Sequence, residues 1–161
     1  MRLVVPGWYG MASVKWINRI AFLRAPFRGH FQSKEYVFRL ENGEERPVTT
    51  IGVRSLILSP MNGETVERAV AIAGWAWGGQ ASIGEVEVTI DGRPTLAQLG
   101  PDRGRYAWRR WSLQQTLAGG AHRMTVRATD LAGRTQPERA PWNIGGYENN
   151  VLHSITIYVR P

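Results

Sequence analysis

An all-β chain, an antiparallel β-sandwich with a loop-rich N-terminal arm, is the fold class that these 161 residues predict. Three observations predict it. From about residue 54 onward the chain breaks into short segments rich in β-branched and aromatic residues, with polarity alternating at a period of two. Turn chemistry separates those segments, most clearly at Asp91-Gly92, a pair suited to the positive φ angles of a two-residue hairpin loop. No stretch of 52–161 shows the 3.6-residue apolar period of a long helix.

The arm opens with Pro6-Gly7-Trp8-Tyr9-Gly10, two glycines around two aromatics, which reads as a loop. In Ser13–Leu23, Trp16, Asn18, Ile20 and Phe22 share one face of an extended chain, and Ile17, Arg19, Ala21 and Leu23 the other. So short a segment leaves helix and strand both open. Residues 41–50 are polar and interrupted by Gly43 and Pro47, which reads as a linker. RSLILS (54–59) then precedes a turn at Pro60–Gly63. VERAVAIAGWAW (66–77) sets Val70, Ile72 and Gly74 against Ala71, Ala73 and Trp75. EVEVTIDG (85–92) runs into the Asp-Gly turn and RPTLAQLG (93–100) returns from it. RYAWRRWSLQQTL (105–117), HRMTVRATDLAG (122–133) and LHSITIYV (152–159) complete about seven strands. That number, with turns at this spacing, fits a sandwich of immunoglobulin-like type.

Composition narrows the function classes. The net charge is +7, and lysine occurs only at positions 15 and 34. The arginines are scattered with no run of four basic residues. This reads as a solvated, arginine-rich surface rather than a nucleic-acid footprint. No run of eighteen apolar residues predicts a membrane span. Met1–Ile20 lacks the apolar core of a signal peptide. The absence of cysteine excludes disulfides, a cysteine nucleophile and thiolate metal ligands within the chain. His30, His122 and His153 have no zinc-site spacing. His153, at the start of the last strand, reads as a packing or hydrogen-bonding residue. Glu64, Glu67, Glu85 and Glu87 read as solvent-facing, and Asp91 and Asp130 as turn residues. Of Trp75, Trp77, Trp108 and Trp111, at least two are expected in the core.

Several segments, in order along nearly the whole chain, are similar to one family. They are LVVPGWYGMASVKW (3–16), SPMNGETV (59–66), IAGWAWGG (72–79), WRRWSL (108–113), TVRATDLAGRTQP (125–137) and PWNIGGYENNVLHSITIYV (141–159). On these residues the chain resembles the sulfite oxidases and their plant and bacterial relatives, which are molybdenum oxidoreductases. The first and last segments are the specific ones. The resemblance implies that residues 1–38 end a molybdopterin-binding domain. It implies a linker at 39–52 and an immunoglobulin-like (E-set) dimerisation domain at 53–161. As partners it implies a second copy bound through the sandwich, the remainder of the molybdopterin domain, and a cytochrome or other electron acceptor. Complete bacterial relatives are often periplasmic, while the sequence itself sets no compartment.

The resemblance also implies a site. Arg2, Ser13, Val14 and Lys15 match the family's positions that contact the pyranopterin and its phosphate. The residue types suit that role, since a guanidinium offers a planar fork of donors and an ammonium a compact charge. Mo-molybdopterin is then the cofactor of the complete enzyme. The isolated chain is not expected to hold it tightly or to catalyse. It has no cysteine for the metal's thiolate, and the family's pterin-binding histidine would precede Met1. Gly145 stands where sulfite-oxidising members place a substrate-binding arginine, so sulfite is not the expected substrate. On its own residues, Gly145-Gly146 reads as a turn. The other reading of the chain is a free-standing β-sandwich that binds an anionic or carbohydrate ligand.

Overall fold

The alternation seen in the sequence becomes an inside and an outside. In the strand Ala69–Trp77, Val70, Ile72, Gly74 and Ala76 are buried, while the residues between them are half-buried or exposed. Val86, Val88 and Ile90, then Met124, Val126 and Ala128, then Ile155, Ile157 and Val159 repeat the pattern in three further strands. Together they form one contact cluster. Full burial of a Val, Ile or Met side chain stabilises by about 1.5–3 kcal/mol, so this cluster dominates the energetics.

The computed structural model describes residues 1–140 and 142–161; Pro141, the first residue of the last family-like segment, lies outside them. The chain divides into two units, residues 1–51 with 140–149, and residues 52–139 with 150–161.

The second unit is an all-β, immunoglobulin-like sandwich. Its strands are β3 (Arg54–Ser59), β4 (Thr65–Val66), β5 (Ala69–Trp77), β6 (Ile83–Ile90), β7 (Arg93–Leu96), β8 (Gln98–Leu99), β9 (Arg109–Thr116), β10 (Gly120–Asp130) and β11 (His153–Val159). One sheet has the order β4-β11-β10-β6-β7 and the other β3-β5-β9-β8. All pairings are antiparallel except β4 with β11. All seven segments expected from the sequence fall in strands. RPTLAQLG divides into β7 and β8, which belong to different sheets, and the segment 66–77 begins in two-residue β4 before running into β5.

Local chemistry explains the turns. Asp91 and Gly92 have φ of +49° and +83° and join β6 to β7 with Ile90 opposite Arg93, the left-handed pair of a tight hairpin. Asp130 sits where β10 is bulged, and its carboxylate accepts hydrogen bonds from the Ala132 and Arg134 amides at 2.9 and 3.0 Å. That is the Asx-type turn expected for this residue.

Among the tryptophans, only Trp111 is fully buried. It lies opposite Gly74, and a Cβ at Gly74 would stand 2.4 Å from its ring. The parity that turns Val70, Ile72 and Gly74 inward turns Trp75 and Trp77 outward. The core therefore takes one of the four tryptophans, not two. Trp77 instead stacks on Trp108, with ring centres 4.4 Å apart and planes 11° from parallel.

The first unit holds little regular structure. A hairpin pairs β1 (Val37–Arg39) with β2 (Glu45–Pro47), closed by Gly43 at φ +82° and by an Arg39–Glu45 ion pair at 3.0 Å. The polar stretch 41–50 thus supplies a turn and a strand. Ser13–Leu23 forms neither helix nor strand beyond a single bridge at Lys15. Short turns at Gly10–Ala12 and Phe31–Glu35 complete it. Its packing centre is Tyr147, whose ring meets Tyr9, Tyr36 and Phe38 edge-on at 6.3, 6.4 and 5.9 Å. Among the described residues, no helix is long and apolar enough to cross a membrane.

Candidate functional site

Arg2 and Lys15 are partners in an isolated antiparallel bridge. The Leu3 amide donates to Val14 O and the Trp16 amide to Met1 O, both at 2.9 Å. These bonds flank the Arg2–Lys15 pair instead of joining it. Such a pair has the closest side chains on a ladder, and both point to the same face. Ser13 fixes the geometry. Its hydroxyl accepts the Val5 amide at 3.3 Å, and its carbonyl accepts Arg2 Nε at 2.9 Å. Lys15 Nζ lies 6.0 Å from the centre of the Trp16 ring, at the outer limit of a cation–π contact. Arg2, Val14 and Lys15 are exposed, and Ser13 is half-buried.

The structure therefore brings the four sequence-predicted site residues onto one short ladder. Neither Arg2 nor Lys15 forms an ion pair with a carboxylate among the described residues. A guanidinium and an ammonium on one face of the bridge, neither ion-paired among the described residues, are the donor types that suit an oxyanion. The sequence contained both residues but not their pairing, which depends on the chain doubling back between positions 5 and 13.

Gly145 lies in a turn of the same unit. The Asn143 side chain closes it, donating to Tyr147 O at 2.7 Å and accepting the Tyr147 amide at 2.9 Å. The Gly146 amide donates to Asn143 O at 3.0 Å, with Gly146 at φ +65°. The Gly-Gly turn read from the sequence is present. A Cβ at Gly145 would lie 2.6 Å from Tyr147 Cε2. That ring is held by its aromatic neighbours and by its hydroxyl, which donates to Glu35 O at 3.2 Å.

Two histidines take defined roles in the sandwich. His153 Nδ1 accepts the Ile57 amide at 3.1 Å, so the ring is neutral there. Burial pushes its pKa below the ordinary value, and the Arg54 charge adds to this. His122 is the opposite case and was not singled out by the sequence. Nε2 faces Ala118 O at 2.9 Å and Nδ1 faces Asp91 Oδ2 at 2.6 Å. Both partners are acceptors, so the ring carries both protons and is cationic. The Ala118 bond, then the Asp91 bond, raise its pKa. The His122 bond in turn lowers that of Asp91, whose other oxygen accepts the Arg123 amide at 2.9 Å.

Comparison with known proteins agrees with this architecture. Residues 45–160 match the family model for the Mo-co oxidoreductase dimerisation domain, and residues 1–31 match that for the oxidoreductase molybdopterin binding domain. Human mitochondrial sulfite oxidase is 32% identical over 181 aligned positions, covering all of this chain and 33% of that protein. The NADH nitrate reductase of Hordeum vulgare is 33% identical, covering all of this chain and 21% of that protein. The chain thus spans a third or less of the length of these relatives. The crystal structure of the sulfane dehydrogenase SoxCD from Paracoccus pantotrophus superposes with a TM-score of 0.83 at 28% identity, covering 95% of this chain and 42% of that one. With well over half its residues in the dimerisation-domain match, and with the order of segments and the sandwich both in place, the chain belongs to the Mo-co oxidoreductase dimerisation-domain family of sulfite-oxidase-type enzymes.

Proposed function

We propose that this chain forms the homodimer of a molybdopterin-dependent oxidoreductase through its sandwich, and that Arg2 and Lys15 hold the phosphate of the pterin cofactor. The cofactor part rests on one observation, the pairing of Arg2 with Lys15 on one face of a bridge, with neither ion-paired to a carboxylate among the described residues. Like charges on directly opposed residues repel. A phosphate laid across them relieves that repulsion and receives donors from both. Ser13 sets the guanidinium through its carbonyl, and Val14 ties the ladder through its own.

These residues fit a phosphate-bearing pterin. When bound, its molybdenum centre supplies two-electron redox chemistry. This chain's part is to bind and orient the anionic end. The metal's thiolate must come from the remainder of the molybdopterin domain, because the chain has no cysteine. On this reading residues 1–38 belong to that domain, 39–52 connect, and 53–161 dimerise. The exposed apolar side chains of the arm, among them Trp16, Ile20 and Phe22, then cover the same domain. A cytochrome or another acceptor takes the electrons. Gly145 offers no side-chain donor, and Tyr147 occupies the space beside it. We therefore set sulfite aside as the substrate in favour of one that draws no cation from this position.

Titrating the full chain with inorganic phosphate, followed by backbone amide chemical shifts, tests the cofactor contact. Shifts are expected at residues 2 and 13–15, weakening with salt. They should vanish in the double variant Arg2→Gln, Lys15→Gln. Shifts confined to other residues would overturn the assignment. Molybdenum and pterin analysis of the chain purified from cofactor-producing cells gives the second readout. Stoichiometric cofactor would defeat the view that another segment completes the site.

A further inference from the structure

Inward positions of a sandwich belong to its core, and at one end of this sandwich they are polar. On β7, Arg93 and Thr95 stand opposite Ile90 and Val88 of β6, both buried. Residues opposed on a ladder share a face, so both side chains turn toward the space between the sheets. On β9, Gln115 pairs with buried Val70, and on β10, His122 pairs with buried Ile157. Four polar side chains thus hold core-facing positions, and with Asp91 they line a hollow of about 470 Å³. That volume falls within the ~300–1,000 Å³ of small-molecule sites.

The fold uses some of these groups and leaves others open. Both oxygens of Asp91 are taken, Oδ2 by His122 Nδ1 at 2.6 Å and Oδ1 by the Arg123 amide at 2.9 Å. The other nitrogen of His122 is taken by Ala118 O at 2.9 Å, so this ring adds only its charge. No hydrogen bond or ion pair engages the side chains of Arg93, Thr95 or Gln115 among the described residues, although the Arg93 charge acts on Asp91 at longer range. Arg93 and His122 set against Asp91 leave one net positive charge at the hollow. Polar groups turned toward a core are disfavoured there unless water or a ligand satisfies them.

We propose that this hollow binds a small organic monoanion rich in hydroxyl groups, with its carboxylate on the Arg93 guanidinium and its hydroxyls on Thr95 and Gln115. One net positive charge matches one carboxylate, which a guanidinium can take through two parallel donors. A hydroxyl and a carboxamide each donate and accept, as the partners of an alcohol must. None of these residues belongs to the Arg2–Lys15 bridge, so the inference stands or falls apart from the cofactor reading.

Sodium D-gluconate, titrated into the full chain at constant ionic strength and followed by backbone amide chemical shifts, is the probe. Saturable shifts are expected at residues 93, 95, 115 and 122. D-glucitol has the hydroxyls without the charge, and acetate the charge without the hydroxyls. Each should bind at least about tenfold more weakly than gluconate. Arg93→Ala should weaken gluconate binding about tenfold with the melting temperature unchanged, because the side chain is exposed. Acetate that binds as tightly as gluconate would overturn the proposal. So would gluconate shifts confined to residues 2 and 13–15, or an Arg93→Ala chain that binds gluconate as the wild type does.

Discussion

His122 and Asp91 form an ion pair that couples the β6–β7 turn to the start of β10. The proton balance of the pair can be worked out in sign. His122 titrates above the ordinary histidine value in the folded chain. Its contribution to stability is therefore complete below about pH 6.5 and fades as pH climbs through the raised value. His153 titrates below that value. Its contribution is complete above about pH 6.5 and is lost as pH falls through the depressed value, when protonation removes the acceptor for the Ile57 amide. His122→Asn should accordingly lower the melting temperature more at about pH 6 than at about pH 9. Equal losses at both would show that the ring is not held as a cation. The turn at Asp91 was legible because Asp-Gly has its own conformational signature. Its partner was not, since His122 comes to it only through the register of β6 against β10.

Strand β5 shows how an element sets a single residue's options. Alternation in the sequence gives its inward row, but not why that row contains a glycine. The reason is the neighbouring strands of the same sheet. Trp111 of β9 lies over Gly74, and a Cβ there would meet Leu56 O at 1.9 Å and Trp111 Cζ2 at 2.4 Å. One obstacle is backbone and the other a fully buried indole, so neither gives way cheaply. Gly74→Ala should destabilise the sandwich by about 1–3 kcal/mol, at the upper end of that range for overpacking, as read by urea denaturation. A change under 0.5 kcal/mol would mean that the indole is free to move. Strand β2 illustrates the opposite limit. All three of its residues are exposed, so no burial pattern announces it, and pairing with β1 alone makes it a strand. In Ser13–Leu23 the two possible periods competed and neither was realised. A periodic apolar row becomes an element only when something within reach buries it.

At the scale of the molecule, the first unit exposes large apolar side chains. Phe22 is 99% and Trp16 83% exposed, and Ile20 and Leu23 are also open. The isolated chain should enhance the fluorescence of the dye ANS and aggregate on concentration, and Ile20→Asp with Phe22→Asp should suppress both. A dye signal unchanged in the double variant would place the sticky surface elsewhere. The family and the order of its segments were legible from end to end, because short motifs survive where overall identity is near a third. The membership of 140–149 in the first unit was not legible. It depends on Leu40 bridging Asn143 and on Tyr147 finding Tyr9, Tyr36 and Phe38, contacts distant in sequence and carried by no periodic pattern.

That excursion has a consequence for inheritance. The chain passes between its two units three times, near residues 51, 139 and 149. Within the sandwich, the amide of buried Gln136 grips Ala128 N, Asn150 O and Val151 O, while Asn150 Nδ2 holds Val53 O. Neither unit is a contiguous stretch of gene. A recombination event at residue 52 would deliver a sandwich trailing a ten-residue loop whose aromatic partners stayed behind. Lineages that exchange catalytic domains freely elsewhere should therefore pass this pair on only as one block.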